Sequence, residues 1–508
     1  MEKLYNNIVW DEKCLNEESD AKNVPYLKNP PDIIDVSVGR QLFVDDFLIE
    51  STELKPEYHT AKKYEANPIL KPETTWEFAH APVACPKSGG VWYDEEEKIF
   101  KMWYEAGWVK QMCYATSSDG LHWVRPDLEF EKGTNKILTY EGYERQKFTN
   151  GLYYFRTDST TVFLDYTCNK DEKYKLFLRN PGGDLPGIVA VSGDGIHFRD
   201  FKFTTPMRDR STIFYNPFRK KWVYSIRAVD EKFTRLRDYR ECDNLLEGAV
   251  WSKAQLHHWM RTDELDKPNP YINMKPQLYN VDCVGYESIM LGMFQIMYGP
   301  ENEQCEEYGA PKITELIPMY SRDGYHYSRP SRESIIKASM IKGSWDRGYI
   351  QSVGGVTVIH GDELWFYYIG FAGNERVINH DWITNGMYHN GATGLAKIRR
   401  DGFVSMNGNG TLLTRKIQFS GKQALCINAE GRVCAEIVDE AGKILGKSQM
   451  FVGDSTNTEL LFNELLISDL NERVIRIRFT VDGKLYAFGF ADENGDFGGA
   501  HAAGVVCR

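Results

Sequence analysis

The chain has 508 residues, more than one ordinary domain holds, so two or more domains are expected. It is 42% hydrophobic and 26% charged with a net charge of −11, which argues against nucleic-acid backbones and anionic membranes as partners and leaves a small molecule, neutral above all, as the ligand class. The N-terminal MEKLYNNIVW lacks the apolar core of a secretion signal, no long apolar run exists, and the 10 Cys show no CxxC or metal spacing, which together predict a cytoplasmic protein with reduced thiols.

Residues 1–35 are polar, contain Pro30-Pro31, and read as an arm wrapped on the body. Arg40–Glu50, RQLFVDDFLIE, reads as a strand with Asp45 and Asp46 at its centre. Acidic residues are disfavoured inside strands, so one of the two must face solvent or a site. From Trp76 a four-strand order begins: WEFAHAPVACP, then IFKMWYE, then Cys113–Thr116, then the stretch from His122. The order recurs as DSTTVFLDY, KYKLFLR, GIVAVS and HFRDF, and again as DRSTIFYNP, KKWVYSIR, GAVWS and HHWMR. A fourth unit reads YESIMLGMFQIMYG, ITELIPMYS and HYSRP; a fifth reads WDRGYIQSVGGVTVIH, ELWFYYIGF, GLAKIR and FVSM.

Between the third and fourth strands lies a turn of the form Ser-x-Asp-Gly-x-His-aromatic. Clear copies are Ser117–Trp123, Ser192–Phe198 and Ser321–Tyr327; worn copies surround Ser252–Trp259 and Asp401-Gly402. Asp bonds the backbone ahead of it and Gly takes positive φ without penalty. The copies sit near 119, 194, 254, 323 and 401, a near-constant period of about 70. Strand-rich repeats of this kind predict an all-β chain with a five-bladed β-propeller. From Gly410 the pattern becomes apolar–polar alternation interrupted at Asn428–Gly431 and Asp482-Gly483, which predicts a β-sandwich. The organisation expected is an N-terminal arm and strand over 1–70, a catalytic propeller over 71–408 and a sandwich over 409–508.

In a propeller the innermost strand of each blade starts at one face of the central channel, and the third-to-fourth-strand turns lie on the other. Asp119, Asp194 and Asp323 therefore read as turn caps. The inner-strand starts bring Glu77 with His80, Asp158, Arg208-Asp209, Glu287 and Asp346 to the channel mouth. Glycosidic cleavage needs one protonated carboxyl and one ionised carboxylate, and crowding of carboxylates keeps one of them protonated. Glu287, beside the apolar MLGMF, is assigned as general acid, and Asp209 between Arg208 and Arg210 as the group that stays ionised. The second carboxyl is left open among Glu77, Asp158, Asp346, Asp45 and Asp46. His80, Arg208 and Arg227 are expected to bind hydroxyls or a carboxylate, and Trp108, Tyr298 and Trp382 to stack on sugar rings. Two long loops, 228–248 and 371–391, are expected to narrow the channel to a pocket suited to exo-action. His380 and His389 in the second loop do not define a metal site, and no cofactor is expected.

A five-bladed propeller followed by a β-sandwich, with S-x-D-G-x-x-W turns and a closing DGKLYAFGF, resembles glycoside hydrolase families 32, 43 and 68 over about residues 40–508. WEFAHAP stands where the family 32 Asn-Asp-Pro nucleophile motif is found. Arg208-Asp209-Arg210 keeps two residues of its Arg-Asp-Pro, and Glu287 sits in YES rather than Glu-Cys. The resemblance implies a glycosidase acting on a small oligosaccharide or glycoside, without implying fructoside specificity. A phosphorylase or transglycosylase on the same fold, with Arg208, Arg210 and Arg227 around phosphate, is the first alternative. A non-catalytic carbohydrate-binding propeller is the second.

Overall fold

The computed structural model describes residues 1–138, 158–179, 184–232 and 234–506. Five antiparallel sheets surround one axis as propeller blades. The first contains Ala84–Cys85 and Val91–Asp94 as its interrupted inner strand, then Ile99–Ala106, Gln111–Ser117 and Lys136–Leu138. The second is Ser159–Leu164, Tyr174–Arg179, Leu185–Ser192 and Arg199–Met207, in that spatial order. These strands are rich in β-branched and aromatic residues, and their interiors are almost wholly buried between neighbouring blades.

Four blades depart from the sequence expectation. In the first, Thr75–Phe78 is a short helical turn, and the outer strand is Lys136–Leu138 rather than the stretch from His122, where Val124 forms an isolated bridge to Thr116. In the third, the strand after Lys221–Val229 is Arg235–Cys242, and GAVWS lies outside the sheet. The centre of the supposed 228–248 loop is therefore strand. Its charges hid it: Arg237 is fully buried, with its guanidinium bonded to Ser225 Oγ (3.0 Å) and the Arg210 carbonyl (2.8 Å). In the fourth blade, the inner strand is Gln277–Glu287, hairpin-paired with Ile289–Gly299. The expected strand start at Tyr286-Glu287 is its far end. In the fifth, the outer strand is Lys62–Lys63 from the N-terminal part, paired with Gly391–Arg399. FVSM instead leads into Val404–Thr414 of a separate sheet.

That separate sheet has eight strands and includes Ile49–Thr52 and Lys55–Tyr58 from the N-terminal part. Its hydrogen bonding is continuous rather than divided between two sheets. Asn428–Gly431 and Asp482-Gly483 are not chain-reversing turns but places where the long strands Ala424–Val438 and Arg476–Ala491 bend. Gly431 and Gly483 face each other in register, with φ of 99° and 138°, and a Cβ on Gly431 would lie 2.4 Å from the Asp482 carbonyl. Phe479 and Phe488 belong to one strand, yet their ring centroids are 5.6 Å apart. Nine residues of straight strand span about 30 Å, so the strand curls back on itself. The chain end returns to the propeller: Ala500–His501 pairs with Gln277–Glu287, and Val505–Val506 with Val358–His360.

The recurring turns close the blades onto each other. In each clear copy the Asp carboxylate accepts two backbone N–H bonds and the ring Nδ1 of the following His, as at Asp119 with Leu121 N (2.8 Å), His122 N (2.8 Å) and His122 Nδ1 (2.8 Å). Gly120 and Gly195 have φ of 74° and 79°, and a Cβ on either would strike the next blade, at Tyr367 Oη and Trp103 Cζ2 respectively. Their carbonyls accept from those same side chains, Tyr367 Oη (3.0 Å) and Trp103 Nε1 (2.6 Å). The turn is thus a staple between blades. Asp119→Ala should cost about 1 kcal/mol, and the buried Asp323→Ala up to about 3 kcal/mol, with turnover of folded protein unchanged. Chemical denaturation and steady-state rates on the same samples check both statements.

Candidate active site

The inner-strand starts surround a cavity of about 290 Å³ lined by Trp108, Asp158, Asp209, Arg210, Arg227, Arg235, Tyr279, Asn302, Lys312, Tyr349, Trp382 and Tyr388. Asp158 directly precedes Ser159–Leu164, and Asp209 and Arg210 precede Thr212–Asn216, so two neighbouring blades deliver a carboxylate each. Below the cavity the axis is plugged. Asp282 accepts from Ser88 Oγ (3.1 Å), Asn280 Nδ2 (3.3 Å) and Ser352 Oγ, tying blades one, four and five. Burial raises the Asp282 carboxyl above its usual range.

Arg227 pairs with Asp209, and the guanidinium keeps that carboxylate partnered at the cavity wall. Asp158 lies 3.6 Å from Lys87 Nζ, which also binds Glu105 at 3.0 Å. Glu105 is buried behind this lysine, and burial, against the pull of Lys87, pushes its carboxyl up to about 7. Trp108 is a wall rather than a platform: Tyr388 stacks on one face at 3.9 Å and Lys87 Nζ covers the other at 4.0 Å. Its Nε1 donates to the Trp382 carbonyl (3.1 Å), and Trp382 itself is 40% exposed at the rim. Arg210 and Tyr349 hold left-handed backbone, φ 56° and 53°. Such strain costs on the order of 1–3 kcal/mol per residue and persists only where the surroundings impose it.

Several expected site residues stand elsewhere. Glu287 is eight positions along its strand from Tyr279, about 26 Å away at strand rise, on the turn face of the propeller. Its carboxylate accepts from Arg400 Nη2 (2.8 Å) and Arg40 N (3.1 Å), contacts that hold the residue at φ 48° in a hairpin with no Gly or Asn to announce it. Glu77 is fully buried, capping Thr75–Phe78 and bound by Arg125 Nε (2.8 Å) and Tyr104 Oη (2.7 Å). Asp346 turns outward to Lys63 Nζ (2.5 Å) and Ser344 Oγ (2.6 Å). Asp45 caps a short helix and holds Arg322, 2.8 Å away, beside the Ser321–Asp323 turn; Asp46, next to it, is exposed. His80 does not line the cavity but braces the Trp108 carbonyl through Nδ1 (2.9 Å). Arg208 pairs with Asp184 at 3.3 Å, and Tyr298 packs away from the cavity.

The residues that sequence reasoning missed are Arg235, Tyr279, Asn302, Lys312, Tyr349 and Tyr388. Arg235 and Tyr279 fell in misassigned strands, and a correct register for blades three and four is the signal that would have found them. Tyr279 and Tyr349 share a 2.6 Å hydroxyl–hydroxyl bond. Burial raises the Tyr279 phenol, but Lys312, Arg235 and Arg210 outweigh it and draw it below the usual tyrosine range, while burial and Tyr279 push Tyr349 far up. Ultraviolet difference titration should therefore show one phenolate forming below pH 10.0, absent in Tyr279→Phe. Glu287→Gln should lower stability by on the order of 3 kcal/mol through the broken buried pair. Its turnover, measured on the folded fraction, should match the parent.

His380 approaches Glu306 at 3.5 Å, and His389 bonds the Thr384 carbonyl; among the described residues no group of three His, Cys, Asp or Glu is arranged for a metal. No described helix is long and apolar enough to cross a membrane.

No protein-family model matches the sequence, and no curated protein matches it significantly. Solved structures similar to it include an N-acetylgalactosamine deacetylase from F. plautii, at 13% identity over 69% of this chain and 96% of that one, TM-score 0.40. A β-1,2-mannobiose phosphorylase from Listeria innocua matches at 11% identity over 67% and 96%, TM-score 0.41. An exo-β-1,3-galactanase from Phanerochaete chrysosporium matches at 10% identity over 79% and 95%, TM-score 0.36. Similarity of this order says nothing of the chemistry, which rests on the side chains described above.

Proposed function

We propose that the chain is a glycoside-cleaving enzyme that removes the terminal unit of a short oligosaccharide or glycoside in the cytoplasm. The observation that supports it is the pair Asp158 and Asp209, from adjacent inner-strand starts, facing one blind cavity with aromatic walls. Asp209, paired with Arg227, is assigned to the developing positive charge at the anomeric carbon. Asp158, 3.6 Å from Lys87 Nζ and with its charge also felt by Arg179 and Arg227, is assigned as the proton donor to the leaving oxygen. Glu105, one lysine behind it and titrating near neutrality, is a positioning residue: its charge decides whether Lys87 is drawn toward Glu105 or toward Asp158. The plug at Asp282, the wall residue Tyr388 and the rim residue Trp382 leave room for a chain end rather than a threaded polymer, which favours exo-action.

Asp158→Asn should reduce the rate on natural glycosides by about 10²–10⁴ and on activated aryl glycosides by much less, because a good leaving group needs no proton. Glu105→Gln should retain turnover and move the pH–rate profile. Equal rates for parent and Asp158→Asn on both substrate types would end this reading, as would an inactive parent across a glycoside panel.

A further inference from the structure

The charge on the cavity is opposite to that of the chain. The protein carries −11 overall, yet the lining has four cationic side chains, Arg210, Arg227, Arg235 and Lys312, against two carboxylates, Asp158 and Asp209. Asp209 is taken by Arg227, and Asp158 leans toward Lys87. Among the described residues no carboxylate pairs with Arg210, Arg235 or Lys312. Lys312, 2% exposed, donates among the described residues to the neutral Asn302 Oδ1 (2.5 Å) alone. Arg235 lies over the Tyr279 ring at 5.1 Å, and its guanidinium hydrogen-bonds to no described residue. The Arg227 Nε is buried without a partner among the described residues.

Burying unpaired positive charge is costly, so an excess of it in an open cavity marks a place where a ligand supplies the missing anion. The neighbouring groups respond to that excess. Burial, with Arg235 nearby, draws the Arg227 guanidinium down to about 10; burial and Arg210 draw Arg237, beneath the cavity, to about 9. The Tyr279 phenol is lowered by the same cations.

We propose that the cavity takes an anionic substrate group, a carboxylate or a phosphate, held by Arg227, Arg235 and Lys312. This rests on the glycoside-cleaving reading and specifies its substrate class. Two sources carry that chemistry. One is a sugar acid, its carboxylate forked by the guanidinium of Arg235. The other is inorganic phosphate as the attacking co-substrate. In that case a phosphate oxygen bonds the anomeric carbon, the glycosidic C–O bond breaks, and Asp158 gives its proton to the departing oxygen. Both place a planar or tetrahedral oxyanion on arginine donors, the pairing that makes charge-assisted, bidentate hydrogen bonds.

The test is binding to the full chain at matched ionic strength, with glucuronate, inorganic phosphate and neutral glucose as probes. Glucuronate or phosphate should raise the melting temperature and bind at least about tenfold tighter than glucose. Arg235→Gln and Lys312→Met, each checked for unchanged circular dichroism, should each lose about tenfold of that affinity. Binding of glucuronate identifies the sugar-acid source; phosphate-dependent turnover yielding a sugar phosphate identifies the other. Equal affinity for glucose and both anions, or two folded variants that bind anions as the parent does, overturns the proposal. Failure to cleave any glycoside would sink the glycosidase reading alone, because the anion test reads binding and needs no turnover.

Discussion

The ring of blades depends on its closure. Blade five has an inner strand interrupted between Gly348–Ser352 and Val358–His360, then Glu363–Phe371 and Gly391–Arg399, and takes its outer strand, Lys62–Lys63, from the other end of the propeller sequence. Adjacent bonds carry the seam onward: Leu70 bridges Thr393, and the Gly391 amide donates to the Pro82 carbonyl (3.0 Å) at the entrance to blade one. Lys63 also holds Asp346 at 2.5 Å, so the carboxylate at the start of blade five is spent on closing the ring. A closed ring leaves only a short outer edge at the seam and sets the angular position of every inner strand. The cavity exists because five strand starts are brought to one axis.

The second sheet buttresses the opposite end. Arg40 donates its amide to Glu287, pairs with the fully buried Asp401 at 2.8 Å, and lies over the Phe497 ring at 5.5 Å. One residue thus joins the blade-four hairpin, the last turn of the propeller and, through its guanidinium and the Thr456 carbonyl, the eight-stranded sheet. The two ends of the propeller divide the charged residues by purpose. On the turn face, carboxylates and arginines are matched and buried, as in Asp45 with Arg322 and Glu287 with Arg400. At the cavity the matching is incomplete, and Arg210 and Tyr349 there hold left-handed backbone. Complete pairing serves stability; incomplete pairing is what a binding site keeps for its ligand.

The repeat was legible because its physical causes are local. Asp119, Asp194 and Asp323 cap their own turns, and the glycines that follow need positive φ, so each copy declares itself within a few residues. Blade two, whose strands are apolar and end in recognisable turns, was read in full. Blade four was not, because its hairpin turns at Glu287 through bonds to Arg40 and Arg400, which are distant in sequence. The shift of that one strand carried the proposed acid to the wrong face.

Sequence by itself determined the all-β class, the number of blades, the structural role of the turns, and the presence of Asp158, Asp209, Arg227, Trp108 and Trp382 at inner-strand starts, near a second-strand end or in loops of one face. Those follow from periodicity and turn chemistry, which act over short spans. Tertiary structure alone decided which carboxylates face the cavity. Glu77, Asp346 and Asp45 read like Asp158 in sequence, but each is consumed by a partner 48, 283 or 277 residues away. Whether a charge is available for chemistry is settled by what folds against it, and no local pattern contains that.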